Sequence, residues 1–409
     1  MQTRTHTTTF ARLLGTALGG PIAIAGLAHG QAGGVFLPDD GGPMNGTAQA
    51  GSAAVARDAQ TAWLNHAGMT RLDGWEVMLT AMPFNLGFEF NPSSDSTTTG
   101  NNGGEQGSWF PGGAIFVAGP VSESVSLGFS LTSPGGLLLD PDDAWQGRNW
   151  VTETALLNLT FEPSVGVRLN DEWSVGAGID LQYVKFKQDL VGPAAGLPIS
   201  LDGDDWNVGF SLSTLWEQSE TTRYGLRYRS QISHDLGGDF SLVGSQPVST
   251  SFTMPASLTF SPYHEISETV ALMADLGWTD WSAFDRNVIT FDAGGAAVEL
   301  PRNFKDTWTF GLGTHIKTSE KWLLMFGGSY VTSAVDDADR TPDLPVDEQV
   351  RLATGFEYAA SERWTLGANY TYLWLGNNDI NQSIPTVGTI DGDYDTSAHI
   401  FGLYASMSF

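Results

Sequence analysis

Long segments of this chain alternate apolar and polar residues with a period of two. In WSVGAGIDLQY, from Trp173 to Tyr183, every odd-numbered residue is apolar and every even-numbered residue is small or polar. Similar segments begin at Trp206, Trp308 and Trp364, and aromatic residues tend to lie at the segment ends. Strands of about ten residues or more with this pattern are typical of transmembrane β-barrels, which face lipid on one side and the lumen on the other. A soluble β-sandwich also alternates and is the alternative.

The alternating segments recur about fourteen times, and bacterial barrels have an even number of strands. Short connections such as LNDEW and TSEKW alternate with long ones such as DPDDAWQGRN and SAVDDADRTPDLPVDE. In bacterial barrels the short turns face the periplasm and the long loops face outside. We therefore predict an all-β fold, a transmembrane antiparallel β-barrel of about 14 strands over residues 73–409. The strands are expected near 73–90, 109–119, 123–139, 151–167, 172–188, 204–217, 221–233, 250–262, 268–280, 304–316, 320–332, 347–359, 362–375 and 396–409.

The composition limits the classes of function. The formal net charge is −27, whereas nucleic-acid binding needs a basic surface. The chain has no cysteine, which excludes disulfides, thiolate metal sites and cysteine nucleophiles. The stretch DGDYD has the D-x-D-x-D spacing of a calcium loop but lacks the downstream glutamate. We interpret the acidic loops as solubilising, and expect neither a metal nor a cofactor.

The two ends of the chain indicate an outer-membrane location. Arg4, His6 and Arg12 precede the apolar stretch LLGTALGGPIAIAGLA and the small residues of AHGQAGG. This order is typical of a secretory signal peptide, which we predict over residues 1–32, with a membrane anchor as the alternative. The last strand, HIFGLYASMSF, ends on Phe409 and resembles the ending by which outer-membrane barrels are recognised by the barrel assembly machinery. We expect a monomer surrounded by outer-membrane lipid and lipopolysaccharide.

Residues 33–72 have a different character from the rest of the chain. They are rich in glycine and alanine, have no period of two, and are too apolar for an exposed tail. A barrel of this width must have its lumen filled or left as a water channel. We predict that residues 33–72 form a plug of short helical pieces inside the lumen.

These features together resemble the FadL-type family of outer-membrane transporters for long-chain fatty acids and other hydrophobic compounds. The stretch GTAQAGSAAVARDAQTAWLNHAGMTRL resembles the hatch motif of that family, which reads A-D-D-A-S followed by N-P-A-G. Later stretches, including EPSVGVRLNDEWSVGAGIDLQY, WTDWSAF and NFKDTWTFGLGTHIKTSEKW, extend the resemblance along most of the chain. The resemblance implies a fourteen-stranded barrel, an N-terminal hatch and a passive route for hydrophobic ligands.

The hatch motif departs from the family pattern at two positions. Arg57 replaces the first acidic residue and leaves Asp58, and His66 replaces the proline between Asn65 and the Ala-Gly pair that ends at Gly68. The resemblance implies that Asp58, Asn65, His66 and Gly68 shape the hatch. The two departures affect its expected geometry and leave the family resemblance intact.

The third strand carries breakers in its middle. The resemblance implies that a kink there opens the barrel wall sideways, at Ser133, Pro134, Gly135 and Gly136. The physical rationale is that a hydrophobic ligand loses about 0.8 kcal/mol for each CH₂ that it exposes to water, so leaving through the wall into lipid is favoured. Proline leaves no bare N–H at such an opening, and glycine permits the bend. An ordinary bulge at a barrel corner is the alternative.

The expected ligand is a long-chain fatty acid, or alternatively an aromatic hydrocarbon or an alkane. A carboxylate head would favour a basic partner, whereas a hydrocarbon needs none. Candidate ligand-binding residues are the apolar pair at the start of the hatch and four basic residues on strand ends or loops: Phe36, Leu37, Lys185, Lys187, Arg302 and Lys305.

The sequence shows no pattern of enzymatic residues. The histidines of the mature chain do not form the His-x-Ser pattern of barrel phospholipases, and no phosphate-binding glycine loop is present. We predict that the protein is not an enzyme. A general porin or an adhesin-like barrel is the competing class, and the Gly/Ala-rich segment 33–72 argues against both.

Overall fold

The computed structural model describes residues 39–133, 136–192, 196–241, 245–292 and 298–409. The predicted signal peptide and four of the predicted site residues lie outside these ranges: Phe36, Leu37, Pro134 and Gly135. The predicted domain boundaries after residues 32 and 72 stay predictions.

Fourteen antiparallel strands form a closed barrel, which confirms the predicted fold class. Each strand pairs with its neighbours in the chain, and the barrel closes where Glu76 of the first strand pairs with Ser408 of the last. Several strands consist of two pieces. The strands are Glu76–Ala81 with Phe84–Pro92, Trp109–Phe110 with Ile115–Pro120, Val125–Thr132 with Gly136–Leu139, Glu153–Arg168, Trp173–Val191, Pro198–Glu217, Thr222–Arg229 with Ile232–Ser241, Ser245–Met254 with Ser257–Glu265, Val270–Thr279 with Arg286–Phe291, Val298–Pro301 with Thr307–Lys317, Trp322–Val331, Gln349–Ala359, Trp364–Trp374 and Gly388–Ser408.

The alternating residues separate onto the two faces of the barrel. In the fifth strand Ile179 is 52% exposed, whereas the neighbouring Asp180 is 2% exposed. Apolar residues therefore cover the outside and polar residues line the inside, the reverse of a soluble sandwich. Trp173 stacks on Trp216 beside the short turns, with ring centroids 5.6 Å apart, as expected for an aromatic girdle. Among the described residues, no helix is long and apolar enough to cross a membrane.

Some strands extend into regions that the sequence predicts as loops. The sixth strand begins at Pro198 rather than near residue 204, and the last begins at Gly388 rather than near residue 396. Within the predicted loop 376–395, Ile380–Ile384 pairs with the start of the last strand. Beyond the lipid both faces of a hairpin meet water, so the apolar alternation that marks a transmembrane strand is absent there.

Residues 39–72, here called the luminal segment, pack inside the barrel. The segment contains the 3₁₀ helices Pro43–Thr47 and His66–Arg71 and the short α-helix Thr61–Leu64. Its chain passes so close to the wall that a Cβ atom at Gly225 would lie 1.8 Å from the carbonyl oxygen of Ala53. Glycine on the lumen face therefore makes room for the luminal segment.

Candidate functional site

An apolar pocket lies inside the barrel towards the end that carries the long loops. Its lining includes Leu137 of the third strand, Leu156, Phe186 and Leu236 of the wall, and Leu344 of the loop 333–348. The cavity volume is about 30 Å³, enough for one or two water molecules. Because the cavity is so narrow, a long apolar ligand must displace side chains to enter it.

Arg302 is the principal charged group of this pocket and is 5% exposed. Its guanidinium donates to both carboxylate oxygens of Asp343, at 3.1 and 2.8 Å. It also donates to Asn287 Oδ1 at 2.8 Å and to Thr341 Oγ1 at 2.9 Å. Gln188 Nε2 donates to Asp343 at 2.8 Å. The positive charge of Arg302 is therefore already paired.

The pKa of Asp343 reflects this pairing. Burial raises the pKa, but the positive charge of Arg302 and the hydrogen bonds from Arg302, Thr341 and Gln188 lower it further, to below its ordinary value. Asp343 is thus a carboxylate that fastens the loop 333–348 to the pocket.

The three predicted lysines lie outside the pocket lining. Lys187 Nζ lies 2.8 Å from Glu153 and 2.8 Å from Asp189, and Lys185 Nζ lies 3.8 Å from Asp202. Lys305, which is about half exposed, pairs with Asp336 in the loop 333–348. Of the predicted basic residues, the structure therefore brings only Arg302 into the pocket, and the lysines pair with acidic residues of neighbouring strands or loops.

The ladder between the second and third strands is incomplete. It joins Ile115–Pro120 to Ser126–Leu131, and it stops after the pair Ile115 and Leu131. In the described part of the chain, the upper piece Gly136–Leu139 pairs only with the fourth strand. The two strands meet again where Asp140 N donates to Gln106 O at 2.9 Å. Among the described residues, no ladder pairing joins residues 107–114 to residues 132, 133 and 136–139, and we call this stretch the window.

A register shift accompanies the window. Thr132 pairs with Thr160 of the fourth strand, and Gly136 pairs with Leu157, so the third strand has one more residue than its partner over this interval. Ser133, one of the predicted kink residues, donates its hydroxyl to the carbonyl oxygen of Asn158. Of the described kink residues, Ser133 follows the lower piece of the third strand and Gly136 begins its upper piece.

Apolar side chains and two buried hydroxyl groups lie beside the window. Leu137 lines the pocket, and Phe84 stacks on Phe110 next to the window with ring centroids 5.2 Å apart. The buried hydroxyls of Ser130 and Thr132 have no hydrogen-bond partner among the described residues. Such groups at the base of an opening offer hydrogen bonds to a ligand or to water.

The hatch-motif residues pack the luminal segment against the wall. Asn65 caps the 3₁₀ helix that follows it, because its side chain accepts a hydrogen bond from Ala67 N at 3.0 Å. Gly68 permits close packing, since a Cβ atom there would lie 2.8 Å from Ala56 Cβ. Asp58 Oδ1 accepts a hydrogen bond from Gln60 N at 2.9 Å and shapes the turn before the short helix.

His66 joins the luminal segment to a buried charge cluster in the wall. His66 Nε2 lies 2.9 Å from Glu162 Oε1 and 2.6 Å from Ser211 Oγ. Arg229 NH2 donates to Glu162 Oε2 at 2.9 Å, and Arg229 NH1 donates to Asp180 at 2.7 Å. The histidine at the family's proline position therefore occupies a site that the wall supplies with an acidic partner.

Other charged contacts of the luminal segment were not apparent from the sequence. Arg57, the second departure from the family motif, pairs with Glu357 of the wall. Asp39 pairs with Arg351, and both side chains are almost fully buried. The period-two alternation indicates that Glu357 and Arg351 face the lumen. It does not indicate which residues they pair with, because both partners lie about 300 residues earlier in the chain.

The comparison with protein families decides the identity. A family model described as "Outer membrane protein transport protein (OMPP1/FadL/TodX)" matches residues 23–409. The chain belongs to the OMPP1/FadL/TodX family. As a member of this family with a β-barrel fold, it is an outer-membrane protein.

Individual members of the OMPP1/FadL/TodX family share low sequence identity with this chain. A long-chain fatty acid transport protein of Escherichia coli O6:H1 is 25% identical over 375 residues, covering 80% of this chain and 84% of the relative. The crystal structure of a Pseudomonas aeruginosa FadL homologue has a TM-score of 0.84 at 20% identity, covering 92% of this chain and 100% of that chain. The Pseudomonas putida toluene transporter TodX has a TM-score of 0.70 at 13% identity, covering 93% and 99%. The structural matches support the shared barrel fold, and the Escherichia coli and Pseudomonas putida proteins are named as transporters.

Proposed function

We propose that this protein is a passive outer-membrane channel for long-chain fatty acids or similar hydrophobic molecules, and that the ligand leaves sideways through the third strand. The observation that carries the proposal is that the described residues of the second and third strands lack ladder pairing directly beside the apolar pocket. Leu137 belongs to both features, because it lies in the upper piece of the third strand and lines the pocket.

The energetics favour a lateral route for an apolar ligand. Each CH₂ that passes from an apolar site into the aqueous periplasm costs about 0.8 kcal/mol, so a chain of many such groups is retained by lipid. Opening a complete strand ladder would leave several backbone groups unpaired, at several kcal/mol each in lipid. A wall that already lacks this ladder avoids much of that cost.

The ligand class is argued from the pocket. A long-chain fatty acid would place its chain among the leucine and phenylalanine side chains, but its carboxylate would compete with Asp343 for Arg302. An aromatic hydrocarbon or an alkane would need no such exchange. The names of the relatives include both fatty acid and toluene transporters, so both classes are candidates.

We propose that the luminal segment serves as the hatch that closes the direct route through the barrel. Its ion pairs with the wall hold it in place. Phe36 and Leu37, which we predict to bind the ligand, come just before the luminal segment in the chain. Deleting residues 33–45 should weaken ligand capture while the barrel still assembles. Unchanged capture in the deletion variant would contradict a role for this end of the segment.

The protein acts as a transporter without chemical conversion of its ligand. We further propose that it works as a monomer in lipid and lipopolysaccharide, and that its assembly machinery recognises the terminal strand. Phe409, which follows the last residue of that strand, is 66% exposed, and its backbone N–H donates to Trp75 O at 2.8 Å.

The third-strand opening is tested by replacing Pro134→Thr, Gly135→Val and Gly136→Thr together. These residues favour an extended strand, and threonine restores the N–H that proline lacks. A Cβ atom at Gly136 would approach its nearest neighbour, Leu156 O, to 3.5 Å, so the larger residue fits. Uptake per folded barrel should fall about tenfold, equivalent to about 1.4 kcal/mol. The measurement is uptake of radiolabelled oleate and of radiolabelled toluene, and the probe that is carried identifies the ligand class.

Gly87→Thr in the first strand is the matched control, because a Cβ atom there also has its nearest neighbour at 3.5 Å. Heat-modifiable migration on a gel reports the folded fraction of each variant. If the third strand merely has a structural bulge, the triple variant should assemble poorly and each folded barrel should transport normally. That result would refute the lateral opening.

A further inference from the structure

The wall has a second interruption, between the sixth and seventh strands. Their ladder runs upward to the pair Ser211 and Arg229, and it resumes only at the pair Asp204 and Gly237. One backbone hydrogen bond continues the ladder beyond that pair, from Ser230 N to Phe210 O at 2.9 Å. Residues 205–209 and 231–236 have no pairing in the ladder between these strands. The seventh strand spans this interval with one residue more than the sixth. We call this stretch the seam.

Apart from the bond from Ser230 N to Phe210 O, the contacts between the two edges of the seam involve side chains. Asn207 Nδ2 donates to Ser233 O at 2.6 Å, and Phe210 N donates to Ser230 Oγ at 3.0 Å. Asp205 Oδ2 accepts from Asp235 N at 3.3 Å. Side-chain rotations can break bonds of this kind without unravelling either strand.

The adjoining strands are also broken beside the seam. The seventh strand is interrupted between Arg229 and Ile232, and the eighth between Met254 and Ser257. The ninth strand ends its lower piece at Thr279. On one side of the seam the ladder between the fifth and sixth strands is continuous, and on the other side the ladder between the seventh and eighth strands is interrupted.

The seam separates an internal cavity from an external groove. On the inside, Leu236 of the seam lines the apolar pocket. On the outside, a groove of about 660 Å³ crosses the seam, lined by Val208, Phe210, Tyr228 and Trp278 among others. This volume lies within the range of small-molecule sites. Val208 is 58% exposed, so the groove lies on the lipid-facing surface.

We propose that the seam is a second lateral exit, and that the groove holds the hydrocarbon part of a molecule that leaves the apolar pocket. The inference rests on the proposed function, because it requires a hydrophobic ligand in the pocket. The occupant is identified by continuity, since the pocket and the groove lie on opposite sides of the same unpaired stretch. Asp205 and Asp235 edge the seam with negative charge, which favours an uncharged molecule over a carboxylate head.

The test locks the seam with introduced cysteines, which is unambiguous because the chain has none of its own. The seam lock is Asn207→Cys with Ser233→Cys, bridged by oxidation or by a short bis-methanethiosulfonate. The matched control is Thr214→Cys with Leu226→Cys, a directly opposed pair on the intact ladder of the same two strands. A third variant, Ala114→Cys with Thr132→Cys, locks the window at the position after Ile115 and Leu131.

Uptake of radiolabelled toluene and of radiolabelled oleate is measured per folded barrel, before and after reduction. Two exits of similar capacity predict that the seam lock removes about half of the uptake, that reduction restores it, and that the control lock has no effect. Uptake that is equal in the seam lock and the control lock would overturn the second exit. A loss of uptake in the seam lock alone would support the seam and reject the window. If the reduced variants carry neither probe, the proposed function and the inference both fail.

A second measurement separates ligand from bulk lipid. A diazirine-bearing hydrocarbon supplied from outside should label the peptide that contains Gln231, which lines the groove, and the seam lock should suppress this labelling. Labelling of equal yield in locked and reduced protein would mean that the probe reaches the groove from the membrane alone, and would overturn the proposal.

Discussion

The charge cluster that fastens the luminal segment predicts a large and local effect of Glu162→Gln. Glu162 is fully buried and receives hydrogen bonds from His66, Ser211 and Arg229. The substitution keeps the size of the side chain and removes its charge. His66 and Arg229 then lose an acidic partner that they cannot replace with water.

The size of the effect follows from the geometry. Removing one partner of a buried ion pair typically costs about 3–5 kcal/mol. Arg229 keeps Asp180 at 2.7 Å and the carbonyl oxygen of Trp63 at 2.8 Å, which places the expected cost near the lower end, at about 3 kcal/mol. Release of the luminal segment should then become about a hundredfold more frequent, because about 1.4 kcal/mol corresponds to a factor of ten.

Hydrogen exchange of the folded barrel in detergent measures this release. Amides of residues 61–71 should exchange about a hundredfold faster in Glu162→Gln, while amides of the eleventh strand should not change. Glu362→Gln, which removes an exposed carboxylate from a short turn, is the control. Unchanged exchange in residues 61–71 would show that the cluster does not fasten the segment. Equal acceleration throughout the barrel would show that it stabilises the wall instead.

Three further predictions concern the long loops and the last residue. Since pairing with Arg302 holds the pKa of Asp343 below its ordinary value of 3.8, its contribution is complete above that pH and is lost as the pH falls through the lowered pKa. Intrinsic-rate-corrected exchange in residues 333–348 should therefore be constant between about pH 7 and 5 and should rise as the pH falls below the ordinary value of 3.8. A protease specific for acidic residues, added to intact cells, should cut at the exposed Asp336 or Asp337 and spare the short turn LNDEW, and cleavage at LNDEW without lysis would reverse the orientation. Deleting Phe409 should lower the yield of assembled barrel without changing uptake per folded molecule.

The transmembrane part of the fold was predictable because one local rule governs it. Each residue between Trp173 and Tyr183 faces lipid or lumen according to its parity, so the sequence specifies both the strand and its orientation. The extension of the sixth strand from Pro198 was not predictable, because Asp202, Asp204 and Asp205 interrupt the apolar alternation there. No alternation distinguishes such a hairpin from a loop.

The candidate site was only partly predictable, for a different reason. The breakers around Ser133 signal an interrupted strand locally, and the structure has an interruption there. The Arg302–Asp343 pair joins residues 41 positions apart through a long loop, so neither residue signals the other. The sequence gives little indication of the seam. Gly209 is required there, because a Cβ atom would lie 2.6 Å from Ile232, but in the sequence it is one of many glycines.

The placement of the luminal segment also constrains the order in which the protein is assembled. Asn369 Nδ2 donates to Gly42 O at 2.9 Å across 327 residues, and Asp39 pairs with Arg351. The part of the chain that is synthesised first therefore acquires its contacts only after the last strands have been inserted. Contacts of such large sequence separation form slowly, so we expect docking of the luminal segment to be a late step of assembly. Until the segment docks, Arg351 lacks its partner Asp39, whereas Arg229 already has Glu162 and Asp180 of the wall.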